Sequence, residues 1–325
     1  MDKKIVVTGA AGFIGSAMVS KLNELGYGNL IVVDDFTDLE KNKNLEEKKY
    51  LAKISIFDFP KWLADNGEQV SFIFHIGGNS STVEDRQEVF DKYNTDYSKN
   101  LWQESVRSRI PIIFTSSAAT YGNGRLGYVD DHDLVPKLAP LNLYGWSKHN
   151  FDCWALKQEE TPPFWVCLKP FNVFGPNEYH KGRMASMVWH SYQQIKKDGK
   201  VKLFRSFTPD YGDGQHSRDF IYIKDLLEIY LFFFNNQTNF SGIYNAGSGH
   251  ARSFLDLVGA VFKSLGLEPN IEFVDIPEDI REKYQCFTEA DMSKLRRAGF
   301  KGELKQLEDN VADYVKNYLE VQKYY

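Results

Sequence analysis

No run of apolar residues in this chain is long enough to cross a bilayer, which sets aside the membrane-spanning classes first. Cysteine is scarce: Cys153, Cys167 and Cys286 are the only 3 among 325 residues. Their spacing fits neither a disulfide framework nor a metal-ligand pair, so they are expected as reduced thiols in the core or at the surface. The 7 histidines form no zinc-type pattern either, and no metal site is expected. Basic charge is not in excess. The 39 lysines and arginines stand against 44 aspartates and glutamates, a formal net charge of −5 that argues against nucleic acid as the main partner and still permits a local basic pocket for an anion. Internal repeats, low-complexity tracts and charged linkers are also missing. Lys3 and Lys4 precede an apolar stretch, but the glycines in that stretch fit another purpose than secretion, and a cytoplasmic protein is expected.

What is present is an alternation. KKIVVTG (3–9), NLIVVDD (29–35), SFIFHIG (71–77), PIIFTSS (111–117) and FWVCLKP (164–170) are short, continuously apolar runs, and helical patterns lie between them, including about 89–108 and 143–157. Apolar strands separated by helices describe a parallel sheet covered on both faces. The expected fold is α/β, a Rossmann-type doubly wound parallel sheet with a smaller C-terminal substrate-binding lobe. The dinucleotide domain is expected over 1–171 plus about 217–250, and the lobe over about 172–216 plus 251–325. The pattern from Leu307 to Tyr318 reads as a packing helix.

TGAAGFIGS (8–16) supplies the purpose of the early glycines. Gly9, Gly12 and Gly15 follow a strand and open a helix, so the backbone can turn tightly and meet a pyrophosphate at the helix N-terminus. Asp34 closes the second strand, where a carboxylate binds adenosine ribose hydroxyls. Further on, TSSAATYG (115–122) ends the fifth strand, and LYGWSKHNFD (143–152) places Tyr144 and Lys148 four apart on one helix face. An ammonium beside a phenol favours the phenolate and lowers the tyrosine pKa, which suits an acid/base. Ser117 at the strand end can hydrogen-bond the same substrate oxygen. The three together suggest a hydride-transfer site.

These motifs, with FHIGGNSSTVE (74–84), FNVFGPNEYHKGRMAS (171–186), SRDFIYIKD (217–225), YNAGSG (244–249) and YQCFTEADMSKLRRAGF (284–300), resemble the extended short-chain dehydrogenase/reductase superfamily over nearly the whole chain. Within it they are most similar to the ADP-L-glycero-D-manno-heptose 6-epimerase branch. The resemblance implies an isomerase acting on an ADP-heptose nucleotide sugar for the lipopolysaccharide core, with bound NADP and as a homo-oligomer. It implies catalytic roles for Tyr144, Lys148 and Ser117, with Ser116 the weaker choice, and for a second acid/base, Lys181 of the H-K-G segment. Cofactor contacts would fall on Gly9, Gly12, Phe13, Ile14, Gly15, Asp34, Asp35, Lys41, Lys53, the segment Ile76, Gly77, Gly78, Asn79 and Ser80, and Asn94 and Val173, besides Tyr144, Lys148 and Lys181. Substrate contacts would fall on Ser117, Asn172, His190, Phe204, Arg205, Ser206, Phe207, Arg218 and Tyr284. Arg183 occupies a small polar position of the family pattern and either meets a phosphate or faces solvent, and the segment 205–220 is longer than the family loop.

Inverting a secondary alcohol at carbon 6 requires two proton carriers, one for each orientation of the oxygen, which makes a lysine beside the tyrosine intelligible. Asp34 by itself suits NAD, because a carboxylate repels a 2′-phosphate, whereas a lysine near Lys41 supplies compensating charge for NADP. Competing readings are another nucleotide-sugar epimerase or reductase and a non-catalytic NAD(P)-sensing protein. The dehydratases carry an Asp-Glu pair where this chain has Ala118 and Ala119, and a sensor would have lost the tyrosine or the lysines.

Overall fold

A computed structural model describes residues 3–82, 84–238, 240–281 and 284–325, and nothing is said below of the side chains of 279 and 280. Seven strands form the central sheet: β1 (Lys4–Thr8), β2 (Leu30–Asp34), β3 (Ala52–Ser55), β4 (Val70–His75), β5 (Ile112–Thr115), β6 (Trp165–Pro170) and β10 (Gly242–Ala246). Their spatial order is β10-β6-β5-β4-β1-β2-β3 and every pairing is parallel. The order reverses beside β1, the place where such sheets open a crevice at their carboxyl edge. A second sheet joins β11 (Ala251–Ser253), β9 (Ser217–Tyr222) and β7 (Asn172–Phe174), and a third pairs β12 (Ile271–Val274) with β8 (Val201–Phe204). The expected doubly wound architecture is the one observed.

The strand sequences explain why both faces are covered. Along β1 and β2, Ile5, Val7, Leu30 and Val32 face one core, and Val6, Ile31 and Val33 face the other. The principal helices are α1 (Phe13–Glu24), α2 (Phe59–Asn66), α3 (Tyr97–Arg107), α4 (Leu143–Ala155), α5 (Met187–Asp198), α6 (Ile223–Asn235), α7 (Phe254–Ser264) and α8 (Leu307–Tyr314). The first core takes Met18 and Leu22 of α1 and Leu227 and Phe233 of α6; the second takes Leu63 of α2, Trp102 of α3 and Phe151 of α4. At about 25 cal/mol per Å² of buried apolar surface, these two layers are the main stabilising contribution. The strand β3 was not expected; none of its residues is fully buried, so it lacks the apolar run that marks the other strands of the central sheet. Two further departures are local. The helix expected from residue 89 opens with an α-helical turn, Gln87–Phe90, and passes through a π-helical turn, Asp91–Asp96, before α3, and α8 continues into a second such turn, Val315–Leu319. Among the described residues no helix is long and apolar enough to cross a membrane.

Two buried polar arrangements hold the site-bearing elements. Lys169 on β6 and Asp152 on α4, both fully buried, form an ion pair at 3.3 Å. Asp152 also accepts from Ser116 Oγ (2.7 Å), and Lys169 donates to Thr120 Oγ1 (2.9 Å), so the pair is hydrogen-bonded as buried charges must be. His75 at the end of β4 bridges Thr8 Oγ1 through Nδ1 (2.7 Å) and Ser98 Oγ through Nε2 (3.0 Å). Burial, then the charge of Lys148, lowers its pKa to about 3.

That depression makes stability depend on pH. Because the folded imidazole refuses a proton that the unfolded one takes up at 6.5, stability is complete above that pH and falls as the pH drops toward 3. The slope expected from His75 is about 1 kcal/mol per pH unit. Urea unfolding at several pH values should show a shallower slope for His75→Gln than for the wild type; equal slopes would refute the assignment.

Candidate functional site

The carboxyl ends of the sheet border a cleft of about 1070 Å³. Its floor is built by glycine. Gly9 turns with φ 65°, and a Cβ there would lie 2.6 Å from the Cα of Gly77; a Cβ on Gly15 would lie 2.0 Å from the Gly9 carbonyl. Only glycine lets these backbones pass. The turn delivers the N-terminus of α1 into the cleft, and Asp34 is drawn beneath it: Asp34 Oδ2 accepts from Ala11 N (2.8 Å) and Oδ1 from Asp35 N (2.7 Å) and from Lys41 Nζ. Asp34 is buried and Lys41 is largely so. This cradle fits a dinucleotide: a pyrophosphate against the helix end, a ribose at Asp34, and a movable cation beside it.

The second wall comes from α4. Asn142 caps the helix by accepting from Gly145 N (2.8 Å), which fixes Tyr144 in the first turn. Tyr144, Lys148 and Ser117 all border the cleft. Ser117 hydrogen-bonds the Tyr144 phenol, whereas the neighbouring Ser116 is buried and committed to Asp152, so Ser117 is the serine that faces the cleft chemistry. Burial pushes the phenol of Tyr144 above its usual value, and the Ser117 bond opposes this. This corrects the expectation of a phenol lowered by Lys148. The ammonium of Lys148 donates instead to the Thr115 carbonyl (2.8 Å), and burial brings its own pKa down to about 8.

Lys181 reaches the same cleft from a different segment. It belongs to a 3₁₀ turn, Tyr179–Met184, kinked at Gly182, and its amine lies 5.3 Å from the centre of the Phe13 ring. Burial lowers its pKa and Glu178 partly opposes this; no contribution from Lys148 enters.

The structure gathers most of the expected contacts. Gly9, Gly12, Phe13, Ile14, Gly15, Asp34, Asp35, Lys41, Ile76, Gly77, Gly78, Asn79, Ser80, Asn172 and Val173 border the cleft with the four catalytic candidates. Asn94 stands behind it. Its Oδ1 accepts from Asn79 N (2.7 Å) and its Nδ2 donates to Asn79 O (2.9 Å) and Ser147 Oγ (2.8 Å), so it shapes the 77–80 loop without entering the cleft. Lys53 is exposed on edge strand β3, with its amine over the Phe36 ring (5.0 Å). Arg183 is exposed as well, and its carbonyl lies 3.3 Å from His190 Nε2; neither side chain borders the cleft.

The remaining substrate candidates form an adjoining cluster. Tyr284 packs against Phe204 (6.1 Å), Phe207 (6.0 Å) and His216 (5.2 Å), with Arg218 at 5.1 Å over the Tyr284 ring and 5.5 Å over Phe254. Arg205 pairs with Asp275 at the surface, and Ser206 is held by Asp213 and Thr208 within its own loop. Phe254, Gln285 and Thr288 border the cleft and connect it to this cluster. Sequence reasoning missed Tyr93, Tyr97, His180, Gln285 and Thr288 as cleft residues. Tyr93, His180 and Gln285 stand next to residues that were singled out, and adjacency was the signal available; the placing of Tyr93 and Tyr97 also depends on the π-helical turn, which has no sequence signature.

The family model for the NAD dependent epimerase/dehydratase family matches residues 5–247. The chain belongs to that family. It is 44% identical to the ADP-L-glycero-D-manno-heptose-6-epimerase of Fusobacterium nucleatum over 97% of this chain and 98% of that one, and 45% identical to its namesake from Nitratidesulfovibrio vulgaris over 97% of each. Among solved structures, the enzyme of the same name from Helicobacter pylori superposes with a TM-score of 0.80 at 27% identity, covering 97% and 96% of the two chains. A UDP-glucose 4-epimerase from Thermotoga maritima, at 22% identity and a TM-score of 0.77 over 98% and 100%, shares the fold.

The position of Asn94 generates a test. Replacing it with alanine removes the two hydrogen bonds that fix Asn79 in the 77–80 loop and the one that anchors Asn94 to Ser147, and at about 1 kcal/mol each the loss should weaken dinucleotide binding by roughly tenfold or more. Because the effect acts through the loop, calorimetric titration with NAD and with NADP should show the same proportional loss. A loss confined to one of them would place Asn94 at the ribose instead.

Proposed function

We infer that the chain catalyses the interconversion of ADP-D-glycero-β-D-manno-heptose and ADP-L-glycero-β-D-manno-heptose at carbon 6. The observation that carries this is the presence of two separate proton-transfer candidates in one cleft, Tyr144 with its Ser117 partner and the desolvated amine of Lys181. Full-length similarity to enzymes of that name supports the same reading.

A bound nicotinamide would supply a reversible hydride acceptor at the substrate carbon. The chain's own groups do the rest. Ser117 fixes the reacting oxygen, and Tyr144 Oη removes its proton in one orientation. Lys148, held on the Thr115 carbonyl, stands against Gly78 of the 77–80 loop and carries its charge at the cofactor side of the cleft. After the sugar carbonyl has turned, Lys181 Nζ delivers a proton to the oxygen from its new side. A lysine can serve this purpose because burial brings its pKa toward neutrality. The aromatic cluster offers stacking faces to the nucleotide, and Arg218 offers a buried cation, with no carboxylate within ion-pair distance among the described residues.

For the cofactor we favour NADP over NAD. Lys41 is the cation able to leave Asp34 for a 2′-phosphate, and neutral His180 stands nearby. We assign the dinucleotide to residues 1–171 with about 217–250, and the sugar nucleotide to the remaining segments. We place the protein in the cytoplasm, on the reading of the early glycines as a cofactor turn, and the family resemblance supports a homo-oligomer.

Incubation with ADP-D-glycero-β-D-manno-heptose in deuterated water, followed by NMR, should yield the L-glycero epimer with protium retained at carbon 6. Lys181→Met should keep its dinucleotide and lose about 100-fold or more in kcat. Absence of epimer from wild-type protein with verified cofactor would sink the assignment. For the cofactor, Lys41→Ala should weaken NADP binding by about tenfold or more and leave NAD binding within about twofold, since one charge-assisted contact is lost. Equal losses for both would reject the 2′-phosphate role.

A further inference from the structure

Glu178 has no place in the mechanism so far, yet it is a fully buried carboxylate three residues from Lys181. Its Oε1 accepts from Gly175 N (3.3 Å) and Ser186 Oγ (2.7 Å), and its Oε2 accepts from Ser186 N. Gly175 follows β7 directly, and Ser186 caps α5 by accepting from Trp189 N. One carboxylate therefore joins the two ends of the segment that carries Lys181. Within that segment, Lys181 N donates to the Glu178 carbonyl (2.9 Å), and Gly182 turns with φ 52° to bring the chain back.

We propose that Glu178 is a positioning residue for the reaction: it clamps the turn that presents Lys181 and provides the fixed negative charge against which that lysine takes up and releases its proton. The proposal rests on the reading of Lys181 as a proton carrier. Three donors converge on the two carboxylate oxygens, which favours the ionised form. Burial raises the Glu178 pKa, and the charge of Lys181 is the first influence to oppose it. The other titratable groups that feel these two are Tyr179 and Tyr314 around Glu178, both raised by burial first, and His180 beside Lys181, which burial keeps neutral. Glu178 is thus the negative charge acting on Lys181, and its effect is to raise a pKa that burial lowers. Without it, burial would act on the Lys181 amine unopposed, and Lys181 would hold a proton less tightly.

The test is competitive acetylation of the full-length holoenzyme with acetic anhydride across a pH series, with peptide mass spectrometry reading the titration midpoint of each lysine. In Glu178→Gln the Lys181 midpoint should fall by about one pH unit or more, and that of Lys148 should stay. The pH profile of epimerisation should move in the same direction. An unchanged Lys181 midpoint overturns the proposal. A midpoint that moves while the profile stays overturns the assignment of Lys181 as proton carrier, and with it the catalytic half of the proposal. Glu178→Asp, which keeps the charge with a shorter reach, serves if the glutamine variant does not fold. It should leave the Lys181 midpoint near that of the wild type and lower kcat about tenfold or more with KM little changed, because a loosened turn misplaces the amine. Unchanged kcat in this variant overturns the clamp.

Discussion

The site depends on one close approach of backbone to backbone. Where β1 and β4 end, Gly9 and Gly77 pass so near each other that a single methyl group on Gly9 would collide with the opposite chain. The approach lets α1 begin over the ends of the strands, and it leaves a channel for a dinucleotide between the first turn and the loop after β4. It also sets the loop 77–80 against Asn94 and Lys148: a Cβ on Gly78 would meet Asn94 Oδ1 at 3.0 Å and Lys148 Nζ at 3.2 Å. Sterics at a few glycines thus couple the cofactor half of the cleft to the helix that carries Tyr144.

Burial then sets the chemistry. Tyr144, Lys148, Lys181 and Glu178 are ordinary side chains whose proton affinities move because water is excluded around them, upward for the acids and downward for the amines. The direction at Tyr144 shows why spacing alone misleads. Two residues four apart on a helix share a face, but whether the ammonium meets the phenol depends on what else competes for it, and here the Thr115 carbonyl does. Farther back, the Lys169–Asp152 pair ties β6 to α4 and engages Ser116, which leaves Ser117 to face the cleft.

Much of this was legible in the sequence because its signals are local. Strands buried on both faces read as continuous apolar runs, glycines at three-residue intervals mark a turn with no room for side chains, and a tyrosine and a lysine four apart mark one face of the helix that opens at Leu143. The parts that were not legible depend on tertiary environment. β3 is an edge strand with a half-buried face, so its pattern is mixed. Lys53, Arg183 and His190 come from segments that match a family pattern in order, but their side chains are directed by loops whose course the pattern does not encode. The cluster around Tyr284 draws on β8, β9 and a loop more than sixty residues further along, a meeting that no periodicity announces.

The π-helical turn before α3 has a consequence of a different kind. Such a turn contains one residue more than the α-helical course would need, and Asn94, which holds the 77–80 loop, lies within it. Loss of a single codon within Asp91–Asp96 would let the backbone run on as an α-helix, while carrying Asn94 off both the loop and Ser147 of α4. In this stretch the number of residues, and not only their identity, sets where Asn94 points, so a change of length by one that spares Tyr93 would reach the cofactor loop while leaving every side chain that borders the cleft in the sequence.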